Sequence, residues 1–368
     1  MNKKHDCIII GSGPSGISLA AKLQKKGIST LILEKGAPAE TWKKIPKHIT
    51  LISPWWTNVL DLYGLIKDWP WKEIHAVKYY QYLKNFIHRH KLNIINDCNV
   101  KNVTRHNHEQ YKVTTTKGVF YTPQVVCASG YYSSPAQPNP EFRTDDSIDI
   151  IHTADIQDFS EIPQGDASKI VLIVGKRTSA GQTLLAYYKK GYAVSVSTRS
   201  PITFRREGLY GKFRETLYFL YEPIWVRIKK GIKSNSYPSM DGGETRKLIE
   251  NNTVTTKPII KEIKNKTVYF ENCESEGYDL IVLATGYRPA LSYVSGLVNI
   301  SDKDGLPLIK NFQSLESPGI YFIGFDNIYD FRSRYLRGIR YDTKLLSKAI
   351  YLYSKESTAS LALRLHSE

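Results

Sequence analysis

The sequence is poor in sulfur: its 368 residues include four cysteines and two methionines. The cysteines, Cys7, Cys98, Cys127 and Cys273, are scattered, and no two of them form a CxxC or CxxxxC pair. An internal redox-active dithiol of the kind used by thioredoxin and glutathione reductases is therefore excluded, and the disulfide reductases are set aside on that ground. No cluster of His, Cys and acidic residues has metal-ligand spacing, and GxSxG is missing, so neither a metal centre nor a serine-hydrolase nucleophile is expected. Apolar runs long enough to span a bilayer, about 18 residues, are absent. Internal repeats and low-complexity tracts are absent too. Acid is also short, with 35 Asp and Glu against 51 Lys and Arg and a formal net charge of +16. The excess crowds into residues 199–233, where nine Lys and Arg face three acids, and into the tail from Phe331. No helix-turn-helix, zinc-finger or single-strand-binding signature accompanies this charge, so no nucleic-acid partner is expected. Met1-Asn2-Lys3-Lys4 before an apolar stretch imitates a secretory signal, but cleavage nearby would destroy the turn described next. A cytoplasmic location is the expectation.

What the chain does have is two glycine turns, each between an apolar strand and a helix. In CIIIGSGPSGISLAAKL, Cys7 to Ile10 read as a buried parallel strand, and Gly11, Gly13 and Gly16 fill GxGxxG. Gly11 permits the tight turn, Gly13 lets a pyrophosphate approach the backbone, and Gly16 lets the helix that opens at Pro14 and Ser15 pack on the strand. The phosphate charge then meets the helix N-terminus. A second strand, Ser29 to Leu33, ends in Glu34, 21 residues beyond Gly13, where a carboxylate can hold the ribose hydroxyls of an adenine dinucleotide. In KIVLIVGKRTSAGQTLL, strand Ile170 to Val174 enters a damaged copy of the turn: Gly175 is in place, Arg177 stands at the second glycine position and Ala180 at the third. The methyl of Ala180 still allows close packing. A side chain at 177 pushes a pyrophosphate outward unless its guanidinium becomes the phosphate ligand, beside Lys176, Thr178 and Ser179. The next strand, Ala193 to Ser197, ends in Thr198-Arg199-Ser200, which suits a 2′-phosphate and so favours NADPH over NADH.

Two such units in an α/β chain resemble the two-dinucleotide-binding-domain flavoproteins. Val125 to Gly130, which ends Ala128-Ser129-Gly130, and Leu280 to Pro289, which carries Ala284-Thr285-Gly286, look like the two ATG motifs that mark the crossovers between domains. Pro318 to Phe325, including Gly324 and Phe325, followed by Leu336-Arg337-Gly338-Ile339, is similar to the FAD-closing segment of flavin-containing monooxygenases. Leu33-Glu34-Lys35, Thr41-Trp42, Leu51 to Pro54, Tyr131 to Pro135 and His152-Thr153 narrow the likeness to small bacterial relatives of these enzymes and of plant indole-3-pyruvate monooxygenases. The resemblance implies one FAD and one NADPH, a small organic substrate and O2. The NADPH reduces the flavin, and the protein shields an oxygenated flavin from water. No catalytic acid and base pair stands out. Three positions depart from the family pattern: Ile52 where relatives carry Asn or His, Arg177, and a lactone-forming fingerprint reduced to His152, with Asp146, Ile148 and Ile156 at its other fixed positions. His152 is read as a hinge residue rather than a proton carrier.

The implied organisation is two Rossmann-like domains, the NADPH domain inserted into the FAD domain. The FAD domain takes residues 1–156 and 283–368, and the NADPH domain takes 157–282. Leu92 to Val103 is predicted as a strand that brings Val100 beside the adenine. The Trp- and Tyr-rich segment from Trp42 to Leu83 covers the flavin in relatives or packs as ordinary core. Residues 204–232 interleave aromatic and basic residues and suit a core-packed insertion, a lid over the substrate channel, or a peripheral membrane or dimer contact. Four functions stay open: an NADPH-dependent class B flavoprotein monooxygenase, an oxidase or dehydrogenase reduced by its own substrate, an NADPH-dependent reductase, and a non-catalytic flavin-binding protein.

Overall fold

The computed structural model describes residues 5–45, 51, 53–61, 63, 74–138, 141–205, 208–229, 231–234, 239–302 and 304–365, without the side chains of 208–212, 215 and 356–365. Ile52, Trp69 and Trp71 of the Trp- and Tyr-rich segment, and Arg206 and Lys230 of the basic stretch 204–232, lie outside this description.

Two sheets organise the chain. The first has seven strands in the order Ile309–Lys310, Gln313–Ser314, Ile320–Phe322, Val125–Cys127, Cys7–Ile10, Thr30–Leu33 and Ile94–Ile95. The five from Ile320–Phe322 onward are parallel, with Ile8 to Ile10 paired to Leu31 to Leu33 on one side and to Val125 to Cys127 on the other. The second sheet has five parallel strands in the order Thr255–Lys257, Ala193–Ser197, Ile170–Val174, Leu280–Leu283 and Asp149–His152. Both central strands, CIII and IVLIV, are continuous apolar runs because helices and neighbouring layers cover both faces of a parallel sheet. Helix Pro14–Gln24 lies against the long C-terminal helix Leu336–Leu365, and buried Ser18 and Thr343 share a hydrogen bond of 3.3 Å between them. The architecture is α/β with two dinucleotide-binding domains.

Two boundaries differ from the sequence reading. Asp149–His152 forms the edge of the second sheet, and Arg143–Thr144 pairs with Ile260–Lys264 of the same domain. Strand pairing thus carries the second domain back to about residue 143, ahead of the break expected at 157. Leu92 to Val103 is also two pieces: Ile94–Ile95 closes the first sheet, Asp97 turns the chain at φ 49°, and Val100–Arg105 starts a separate three-stranded antiparallel sheet. Among the described residues of the aromatic segment, Trp55, Tyr79 and Tyr82 are core and Tyr63 is exposed. Trp55 and Tyr79 are buried, with edge-on ring contacts of 6.0 Å from Trp55 to Tyr79 and 4.4 Å from Trp42 to Tyr79.

The basic insertion forms one helix, Gly208–Ile228, with Pro223 inside it. It docks on the FAD domain rather than standing away from it. Buried Glu222 accepts from Arg337 Nε with both carboxylate oxygens at 3.0 Å. Just beyond the helix, the Phe331 amide donates to the Ile232 carbonyl at 2.8 Å, and Ser234 and Asn327 exchange two hydrogen bonds of 3.1 Å.

Candidate cofactor-binding site

In the first turn, Gly11 has φ +108°, and a Cβ there would lie 2.5 Å from the Ala128 carbonyl oxygen. Only glycine avoids both penalties, so the turn is tied to the crossover strand behind it. A Cβ on Gly16 would collide with the Gly11 carbonyl, which fixes the helix close to its strand. Gly13 differs: nothing in the protein lies within 4 Å of a Cβ built on it. Space is therefore held open at the N-terminus of helix Pro14–Gln24, where unpaired amides and the helix dipole favour a phosphate. Glu34 is held beside this space. Its Oε2 accepts from the Ser12 amide at 2.7 Å and the Ser12 hydroxyl at 2.6 Å, while Oε1 accepts from the Gly36 amide at 3.1 Å. A carboxylate offers about four acceptor sites, so Glu34 keeps capacity for a hydroxyl donor. Ser12, the second residue of the motif, orients this carboxylate; sequence reasoning passed over it although it sits inside GxGxxG.

The second turn repeats the first at its base. Gly175 has φ +149°, and a Cβ there would lie 2.5 Å from the carbonyl oxygen of Ala284, the counterpart of Ala128. Ala180 is fully buried, as its packing role requires. Arg177 takes an extended N-cap conformation, and its backbone forms an isolated bridge with Ser239, whose carbonyl accepts from the Thr178 hydroxyl at 3.0 Å. Met240 follows, fully buried against Gly181. This clamp of the turn by Ser239 and Met240 had no signal in the sequence. The Lys176 ammonium bonds to the Ser200 hydroxyl, joining the turn to the end of the next strand, and Arg177 and Arg199 are exposed at the cavity wall.

The two crossovers are stitched to each other. The Ser129 hydroxyl donates to the Ala290 carbonyl at 2.8 Å and shares a 2.9 Å bond with Tyr293; the Thr285 hydroxyl donates to the Ala136 carbonyl at 2.5 Å. Ala136 also donates its amide to Gly286 at 2.9 Å, and Ala290 donates to Gly130 at 3.2 Å. Ser129 and Thr285 thus hold the domain junction. His152 is buried at the same junction: its Nδ1 accepts from the Ala154 amide at 3.0 Å, which leaves Nε2–H to donate to the Gly286 carbonyl at 3.0 Å. Burial lowers its pKa, so the neutral ring is favoured. Both ring nitrogens are engaged by backbone, so His152 bridges the junction between Ala154 and Gly286. Gly324 closes the first turn from the other side, where a Cβ would come within 2.7 Å of Ser15 Oγ, and buried Phe325 packs edge-on against Tyr131 at 5.7 Å.

One cavity of about 2020 Å³ opens on both turns. It is lined by Gly11, Gly13, Glu34 and Trp42 from one side and by Gly175, Arg177 and Arg199 from the other. Lys35, Val100, Gly130, Gly286 and Leu336 also line it; Gly16 and Phe325, both buried, and Ser200, exposed, do not. Asp326 and Arg334, unnoticed in the sequence, form part of its rim as an ion pair of 3.6 Å. All four cysteines are free; three are buried, and Cys273 is exposed. Among the described residues no group of His, Cys and acids could hold a metal, and no helix is long and apolar enough to cross a membrane.

Residues 8–324 match the pyridine nucleotide-disulphide oxidoreductase family. The chain belongs to this family. Within it, the chain is 22% identical over 359 residues to the uncharacterized oxidoreductase CzcO of Bacillus subtilis, covering 94% of this chain and 98% of that one. It is similar in fold to a flavin-containing monooxygenase from Stenotrophomonas maltophilia, with TM-score 0.75, 19% identity and coverage of 96% and 99%. The bacillithiol disulfide reductase Bdr of Staphylococcus aureus is also similar, with TM-score 0.72, 21% identity and coverage of 95% and 99%. That last likeness narrows the exclusion drawn from the missing CxxC. The spacing rules out an internal dithiol; it does not remove every disulfide reductase from this fold, since a disulfide can be carried by the substrate.

Proposed function

We propose that this oxidoreductase is an FAD-dependent, NADPH-using monooxygenase acting on a small organic substrate. The observation that carries the reading is the pair of turns built on one plan, Gly11 against Ala128 and Gly175 against Ala284, opening on a single cavity large enough for two dinucleotides end to end. The residues of the first turn fit FAD: an open approach at Gly13, a helix N-terminus, and a carboxylate with acceptor capacity remaining. The second fits a phosphorylated nucleotide of higher charge, with Lys176, Arg177 and Arg199 grouped at its edge. Bound flavin supplies the hydride acceptor and the site of oxygen activation. The chain's own residues bind and orient. Glu34 would hold a ribose and Arg199 would meet a 2′-phosphate, while Ser129 and Thr285 hold together the two crossovers between which the nucleotides would lie. The apolar wall around Trp42, Leu51, Tyr131 and Leu336 keeps water from the reacting atoms.

The deciding experiment mixes purified yellow protein with NADPH without oxygen and follows loss of the flavin's visible absorbance, then admits oxygen with candidate amines, sulfides or α-keto acids. Fast bleaching and oxygenated product support the reading; bleaching only by an organic donor points to an oxidase or dehydrogenase. The likeness to Bdr favours one alternative, an NADPH-dependent reductase of an external disulfide. Thiol release from a low-molecular-weight disulfide without oxygen uptake would establish it.

A further inference from the structure

Helix Gly208–Ile228 has two apolar faces. Phe219, Glu222 and Val226 are buried against the FAD domain. At 3.6 residues per turn, Phe213, Leu217, Leu220, Tyr221, Ile224 and Ile228 fall on the opposite face. Four of them are widely exposed: Phe213 at 61%, Tyr221 at 63%, Ile224 at 60% and Ile228 at 76%. A stripe of this kind on a soluble protein marks a contact with something. Helical spacing sets exposed Arg214 along one edge of the stripe and exposed Arg227 along the other, with Trp225 also outward and Lys229 exposed just past the helix end. Glu222, the acid among the described side chains of this helix, is turned inward and neutralised by Arg337.

We infer that this face docks on an anionic membrane surface. Aliphatic and aromatic side chains flanked by arginines on both edges are the pattern of a helix lying in the interface, where the rings enter the headgroup layer and the cations meet lipid phosphates. The formal charge of +16 adds long-range attraction to the same sign of surface. Charge also argues against a second copy of the chain. A two-fold interface through this stripe would gather Arg214, Arg227 and Lys229 of both copies while the helix's described acid, Glu222, points inward, which costs affinity. The chain just beyond the helix is tied to the cavity, since Ser234 exchanges hydrogen bonds with Asn327, a cavity-lining residue.

The test is co-sedimentation of the full chain, purified with its flavin, on vesicles of phosphatidylcholine alone and of phosphatidylcholine mixed equally with phosphatidylglycerol. Binding to the anionic vesicles should be at least about tenfold stronger and should weaken as salt is raised. The pair Ile224→Glu and Ile228→Glu, and separately Arg214→Glu with Arg227→Glu, should each reduce it about tenfold or more. Flavin content and unfolding temperature check folding; if the glutamate pair loses flavin, Ile224→Ser with Ile228→Ser is read in its place. The inference is overturned by absence of binding to anionic vesicles, by binding that none of these variants weakens, or by a parent dimer in sedimentation velocity that the isoleucine variants split.

Discussion

The two glycine turns share a base and differ at the tip. At the base, Gly11 and Gly175 both sit at positive φ with a crossover carbonyl 2.5 Å from where a Cβ would stand. At the tip, Gly13 leaves open space, whereas Arg177 places a guanidinium at the cavity wall and pins its backbone to Ser239. Their second strands diverge as well, one ending in the buttressed carboxylate of Glu34 and the other in Thr198-Arg199-Ser200. Gly11 and Gly175 face a crossover carbonyl at positive φ and are the same in both turns, because a side chain there is strained and clashes; the third position is less strict, with Gly16 in one turn and Ala180 in the other. Gly13 and Arg177, which face the cavity, differ, as expected if each turn serves its own dinucleotide. The comparison thus separates folding constraints from binding constraints within one motif, and single substitutions can test that separation.

The largest effect is expected from Gly13→Val. Its side chain meets no protein atom, so unfolding of the flavin-free chain should be nearly unchanged, while flavin affinity falls by about a hundredfold or more as the pyrophosphate path is blocked. Visible absorbance per protein and the unfolding midpoint, read on the same sample, check both halves. A yellow Gly13→Val protein would remove the first turn from the site. Gly11→Ala and Gly175→Ala should behave oppositely, each costing about 2 to 4 kcal/mol of stability through strained φ and a backbone clash. Denaturant titration of the two should give similar losses; a mild Gly175→Ala would mean that the second turn has relaxed away from the plan of the first.

The shared base was legible in the sequence and the clamp on the tip was not. Strands Cys7–Ile10, Ile170–Val174 and Ala193–Ser197 fall where the apolar runs place them, because runs bounded by glycine turns are local signals. The pairing of Arg143–Thr144 and Asp149–His152 with strands near the second turn has no local signal, since these short strands take their identity from partners more than a hundred residues away. Val100 belongs to a separate antiparallel sheet for a local reason that the apolar pattern hides, the reversal at Asp97. The docking of helix Gly208–Ile228 was equally hidden. It depends on Glu222 meeting Arg337, 115 positions along the chain, and no periodicity announces such a pair. Ser12, by contrast, lies inside the motif itself, and its role follows from the strand end that brings Glu34 within reach of its amide and hydroxyl.

A smaller effect is expected at the end of the second strand. Arg199 is exposed at the cavity wall, and a charge-assisted contact with a 2′-phosphate contributes about 1.5 to 3 kcal/mol, so Arg199→Ala should lower the preference for NADPH over NADH about tenfold or more at constant salt. Steady-state kinetics with both nucleotides checks it. If the unmodified enzyme uses them equally, the contrast between Glu34 and Arg199 carries no nucleotide specificity.

The finest test concerns Arg177, where the two turns differ by one side chain. In the compensation reading, its guanidinium replaces the lost close approach by binding the NADPH phosphates beside Lys176. Arg177→Ala should then raise the KM for NADPH about three- to tenfold, the range of one partly solvated charged contact, and leave the limiting rate of flavin reduction nearly unchanged. Arg177→Gly restores the sequence of the first turn and should do no better than alanine. The backbone there is extended and bridged to Ser239, and the turn is anchored by the Thr178 hydroxyl, so removing the side chain does not by itself recreate the geometry at Gly13. In the opposite reading the arginine obstructs the turn, and glycine alone opens it. Stopped-flow reduction of the parent, alanine and glycine forms separates the two. Fast reduction by NADPH that appears only in the glycine form would mean that the second turn keeps the fold of a dinucleotide site while the parent chain has given up its nicotinamide.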